Sequence, residues 1–221
     1  MLLSGGWLKS APAVAPGSKW EYSNAGFMLA GLMAERAAEK DWETLMREQL
    51  FEPLGMKSAG FGAPGSADKV DQPRGHNAFG IAMKPGKGAD NPRGLGPAGT
   101  VHCSLRDWSK FIGLHLQAAR GEYRLLNAES FQRLQASQPI DDKSGYALGW
   151  VTLERPWANG SVLMHNGSNT KWYSVVWIAP KRGFAVMAVT NLAGLDAKEG
   201  ATATDAAAVL LIEEQLKSAK E

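Results

Sequence analysis

The chain has 221 residues, 44% of them hydrophobic, and its 24 Lys and Arg against 22 Asp and Glu leave a formal charge of +2. That is enough apolar material for a buried core in one domain or two small ones, and basic residues scattered rather than striped exclude nucleic acid as a partner. No apolar run approaches the roughly 18 residues of a membrane span, and the single cysteine, Cys103, excludes an internal disulfide and reads as a buried small apolar residue.

Taken in chain order, Met28, Leu29, Leu32 and Met33 recur at helical spacing from Asn24 to about Lys40, with Ser23 or Asn24 as the cap. A second helix is predicted from Trp42 to Phe51, stopping at Pro53 with Gly55 beyond. Residues 60–99 are dense in Gly and Pro and read as a long irregular excursion. Ser104-Leu-Arg-Asp107 matches a capping box, opening a helix whose apolar stripe is Leu105, Trp108, Ile112 and Leu116 and which ends near Gly121. A shorter helix follows up to Gln135 from Asn127 or Ala128.

After Pro139 the pattern changes. Tyr146–Leu153, Trp172–Ile178 and Phe184–Thr190 are rich in β-branched and aromatic residues, with turn signals at Ala158-Asn-Gly160 and Pro180-Lys-Arg-Gly183, and predict an antiparallel meander. A terminal helix over Asp205–Lys217, with Val209, Ile212 and Leu216 on one side, is expected to cover it. His76, His102, His115 and His165 include no helical i,i+3 or i,i+4 pair and no His-Glu-x-x-His, so neither a metal nor a cofactor is expected.

Two short motifs carry chemistry: Tyr22-Ser23-Asn24, and His165-Asn166-Gly167 about 140 residues later. With Pro16-Gly, Glu52-Pro-Leu-Gly-Met56, Tyr146-Ala-Leu-Gly-Trp150 and Val189-Thr-Asn191, they make the chain resemble the penicillin-recognising serine hydrolases: class C β-lactamases, DD-peptidases and the esterases built on their fold. These enzymes use a Ser-x-x-Lys turn for the nucleophile, a Tyr-x-Asn loop, and a Lys-Thr-Gly or His-x-Gly strand. The chain displays the second and third.

The resemblance implies an α/β (α+β), β-lactamase/transpeptidase-like fold: a mainly helical subdomain over residues 1–138 with its long loop at 60–99, then an antiparallel sheet with a C-terminal helix over residues 139–221. The N-terminal part carrying Ser-x-x-Lys is expected to be missing. It further implies that Tyr22 is the base or proton shuttle, its phenol lowered by a neighbouring cation. Asn24 would donate to the substrate, and His165 would stand in place of the strand lysine. Gly167 would leave room along the strand, and the Ser168 N–H would serve the oxyanion. By count alone Ser66-Ala-Asp-Lys69 and Ser168-Asn-Thr-Lys171 also match Ser-x-x-Lys, but neither sits where a buried helix start is predicted.

The expected function is hydrolysis of an amide or ester, in a small molecule or peptide, through an acyl-enzyme, with the 221 residues alone inactive. The alternative is a non-catalytic binding module that holds a peptide or acyl ligand. An incomplete sheet would leave an open edge for self-association. Met1-Leu-Leu-Ser is no secretory signal, so a cytoplasmic location is expected as written, against a periplasmic or secreted one for a full-length form.

Overall fold

A computed structural model of the chain describes residues 10–193 and 197–219. The first helix, α1 (Asn24–Ala38), begins where Ser23 holds an extended backbone and its Oγ accepts from the Gly26 N–H at 3.0 Å, and it ends on Glu39 at φ 53°. Its buried residue is Gly31, and a Cβ there would lie 2.3 Å from Pro97 Cγ. That small side chain lets the short helix α4 (Gly96–Gly99) pack directly on α1.

The second helical run does not stop before Pro53 as expected. It passes from α2 (Trp42–Met46) through a π-helical turn (Arg47–Phe51) into α3 (Glu52–Leu54), ending on Gly55 at φ 63°. Pro53 comes just after the π-helical turn and does not interrupt the run. Two short strands, β1 (Gly60–Phe61) and β2 (Val101–His102), bracket the long excursion by pairing with each other. Its middle is pinned to the far end of the chain: Asn191 Nδ2 donates to the Arg74 carbonyl at 2.8 Å, and the Asn191 carbonyl accepts from the His76 N–H at 3.0 Å.

Helix α5 (Leu105–Ala118) is capped as expected, Ser104 Oγ accepting from the Asp107 N–H at 3.2 Å. Asp107 also accepts from Ser58 N–H and Oγ and from Lys110 Nζ, and Lys110 reaches the Gly55 carbonyl, tying α5 to the end of α3. Those hydrogen bonds, Lys110's first, hold the Asp107 carboxyl down at about 2. Of the predicted stripe, Ile112 is buried and Trp108 and Leu116 pack against the same core, but Leu105 is exposed, and Leu114, His115 and Ala118 are buried as well. The helix is covered from two sides, by the sheet and by α6 (Ala128–Gln135), so its buried arc is wider than one stripe.

The sheet has six antiparallel strands in sequence order: β3 (Gln138–Pro139), β4 (Ser144–Ala147), β5 (Trp150–Arg155), β6 (Gly160–Ser168), β7 (Tyr173–Ala179) and β8 (Phe184–Thr190). The single strand expected over Tyr146–Leu153 is a hairpin. Ala147 pairs with Trp150, and the two loop residues, Leu148 at φ 41° and Gly149 at φ 110°, take the positive values a two-residue turn demands.

Strand β7 alternates faces. Val176 and Ile178 join Ile112 of α5, Trp150 and Leu163 on one side, whereas Tyr173 and Val175 join the last helix, α7 (Ala197–Ser218), on the other. Helix α7 begins before Asp205, and its buried face is Thr204, Ala208 and Ile212, spaced by four. Val209, expected on that face, is 51% exposed. Both helices flank one sheet, giving three layers. Among the described residues no helix is long and apolar enough to cross a membrane.

Candidate active-site cleft

A cleft of about 600 Å³ opens between the start of α1, the 60–99 excursion and the C-terminal end of β6. Tyr22, Asn24, His165, Gly167 and Ser168 all line it, so residues distant in sequence share one cavity. Tyr22 is 52% exposed, and its hydroxyl donates to Asn24 Oδ1 at 3.3 Å. The Tyr146 ring stands between the two motifs, its centroid 6.5 Å from that of Tyr22 and 6.5 Å from that of His165.

Register explains why the β6 end is available. Pairing of β6 with β5 stops at Met164 opposite Val151, while pairing with β7 continues to Ser168 opposite Tyr173. Residues 165–168 therefore have a strand on one side only, and an extended ligand could lie along the other. At Gly167 a Cβ would meet nothing within 4 Å, which marks open space.

The strand end is held from behind. Asn166 Nδ2 donates to Tyr173 Oη at 3.0 Å, and Tyr173 Oη donates to Asp205 on α7 at 2.9 Å. Burial, reinforced by Asp205, pushes the Tyr173 phenol up to about 12, so it stays a donor. Beyond the strand, Asn169 Oδ1 accepts from the Lys171 and Trp172 N–H groups at 3.1 and 2.9 Å, and its Nδ2 donates to Asp90 at 2.6 Å. Burial lowers the His165 pKa from its ordinary value, against a smaller opposing hydrogen bond at Asn166, so the imidazole is neutral near pH 7. It can accept or relay a proton there, but it does not supply the charge of a lysine.

Two serines, Ser168 and Ser174, are among the described residues lining the cleft. Ser168 Oγ accepts from the Thr170 N–H at the strand end; outside that lining, Ser66 Oγ donates to Asp71 at 2.6 Å within an irregular stretch, and Ser23 Oγ caps α1. Cys103 is half-buried and lines the cleft, a correction to its expected place in the core. Burial first, then Asp107, pushes its thiol up to about 11, which keeps it protonated. Among the described residues lining the cleft none is Lys or Arg, so the cation expected beside Tyr22 is not supplied by them.

Three lining or bordering residues escaped the sequence reading as site members. Tyr146 is buried with a hydroxyl that has no hydrogen-bond partner among the described residues, and only its place in a hairpin facing His165 reveals it. His102 has Nδ1 2.7 Å from the Gly62 carbonyl. Asp90 lies in the aperiodic excursion, where no pattern could single it out.

The Beta-lactamase family model matches residues 7–210, and the chain belongs to that family. It is similar to penicillin-binding protein 4 of Amycolatopsis lactamdurans, 26% identical over 80% of this chain and 48% of that protein, and to protein flp of Staphylococcus aureus strain MW2, 22% identical over 80% and 34%. Among solved structures it resembles a D-stereospecific amidohydrolase from Streptomyces sp., with TM-score 0.66 and 22% identity over 83% of this chain and 53% of that one. A β-lactamase/D-alanine carboxypeptidase from Pseudomonas syringae aligns with TM-score 0.68 and 18% identity over 83% and 58%. An octameric penicillin-binding protein homologue from Pyrococcus abyssi aligns with TM-score 0.66 and 21% identity over 90% and 44%. These likenesses show a β-lactamase/transpeptidase-like fold, and the chain spans about half or less of the curated relatives' length.

Proposed function

We propose that this chain forms the substrate-binding part of a serine hydrolase that cleaves amide or ester bonds through an acyl-enzyme. The observation that carries the reading is the convergence of Tyr22 and Asn24 with the one-sided strand His165–Ser168 in a single cleft. Asn24 and the Ser168 N–H orient the scissile carbonyl, Gly167 leaves the lane beside the strand open, and Tyr22 with neutral His165 relays the proton between nucleophile and leaving group. The resemblances to an amidohydrolase and to a carboxypeptidase support the reaction class.

The 221 residues alone are proposed to bind without turning over, because Ser66 and Ser168 are engaged elsewhere, and loss of a nucleophile from such a unit costs about a million-fold in rate. A second reading, a binding module that never catalyses, is favoured by the same placement of the serines. Intact-mass analysis after incubation with a fluorophosphonate and with a penicillin tests the proposal; an unshifted mass is expected. An adduct mapping to Ser66 or Ser168 would contradict it.

We also propose that copies associate through β8, the last strand of the sheet, where Val189 and the following Leu192 are exposed. The octameric state of the Pyrococcus homologue supports this reading.

A further inference from the structure

The cleft is uneven in charge as well as in shape. Of the described residues lining it none is Lys or Arg, while Asp90 contributes a carboxylate. Asn169 fixes where that carboxylate sits. Its Oδ1 is occupied by two backbone N–H donors, which turns its Nδ2 toward Asp90 at 2.6 Å. One Asp90 oxygen is thereby committed. The other accepts no hydrogen bond among the described residues, and Asp90 forms no ion pair among them. Part of the cleft wall is apolar, with Met46, Leu50, Phe51, Trp108 and Phe111.

We propose that this cleft takes compounds with an apolar body and a protonated amine, and that Asp90 is the specificity-determining residue that selects them over compounds bearing a carboxylate. The proposal rests on the reading of the cleft as the acyl-ligand site. A ligand carboxylate entering here gives up water in a cavity that offers it a like charge and no lysine or arginine among the described residues. A ligand ammonium exchanges its water for a charge-assisted hydrogen bond to an oxygen that is already held in place. Discrimination thus comes as much from rejecting the anion as from binding the cation. The burial that keeps His165 neutral removes the one imidazole on the strand as a compensating positive charge.

Three probes of one shape isolate the charge: 3-phenylpropan-1-amine, 3-phenylpropan-1-ol and 3-phenylpropanoate, titrated into the ¹⁵N-labelled chain near neutral pH at low salt. The amine is expected to bind about fivefold more tightly than the alcohol, as a single partly exposed charge pair gives, with the propanoate weakest. Asp90→Asn keeps an oxygen for Asn169 while removing the charge. It should bring the amine within about twofold of the alcohol.

A propanoate that binds as tightly as the amine overturns the proposal, and so does an amine preference that survives Asp90→Asn. Equal binding of all three probes in the cleft would remove the charge selection and leave the acyl-site reading intact. If none of the three shifts the amide signals of Asn24, Gly167 and Ser168, the acyl-site reading fails and this proposal fails with it.

Discussion

His115 gives the fold a dependence on acid that can be worked out from its surroundings. It is 2% exposed on α5, packed edge-on against Phe111, Phe131 and Trp150, with Gln135 Nε2 placed 3.3 Å from its Nδ1. Aromatic rings and a neutral amide surround it, and the Gln135 donor suits an imidazole lone pair. Burial lowers its pKa from 6.5 to about 4. The unfolded chain therefore binds a proton that the folded one refuses. Stability is full above about pH 6.5 and falls as pH drops toward 4, and the interval from pH 7.5 to 4.5 costs about 2–3 kcal/mol. Asp107, held at about 2, remains ionised through that window, so its contribution is lost only further down. His165, lowered in the same direction, adds to the loss. Urea unfolding followed by tryptophan fluorescence should show a midpoint about 1 M lower at pH 4.5 than at 7.5, for an m-value of about 2 kcal/mol per M. His115→Gln should flatten most of that slope. A variant with the wild-type pH dependence would refute the assignment to His115.

Two substitutions probe the cleft itself. Gly167→Val places a branched side chain in empty space on extended backbone, so the melting temperature should stay within about 2 °C while ligand affinity falls at least about tenfold; calorimetric titration and thermal melts check the pair. Tyr146→Phe removes a buried hydroxyl that has no hydrogen-bond partner among the described residues and should stabilise the chain by about 1 kcal/mol, raising Tm by about 2–4 °C, whereas a lower Tm would mean that the hydroxyl has a partner.

Much of this architecture was readable from residues whose signals are local. Ser23, Ser104 and Asn127 announced three helix starts, because a capping side chain satisfies N–H groups within three residues of itself. The meander was legible in its β-branched runs. What failed depended on partners. Leu105 and Val209 carry the right spacing but face solvent, since the elements packed on α5 and α7 select His115 and Ala208 instead. The hairpin at Leu148-Gly149 was hidden because leucine is a poor signal for positive φ. In the cleft, motif resemblance pointed to Tyr22, Asn24 and His165–Ser168. Asp90 and Tyr146 enter only through Asn169 and through the facing rings, contacts that connect segments far apart in sequence.

The most direct test of the shared cleft is an amide chemical-shift titration of the ¹⁵N-labelled chain with a neutral acyl compound, N-acetylphenylalanine methyl ester. Saturable shifts concentrated at Asn24, Gly167, Ser168 and the neighbouring Asn169, with the C-terminal half of α7 unmoved, are the expected result. Shifts that spare both motifs, or that move only one of them, would contradict the claim that they serve a single ligand.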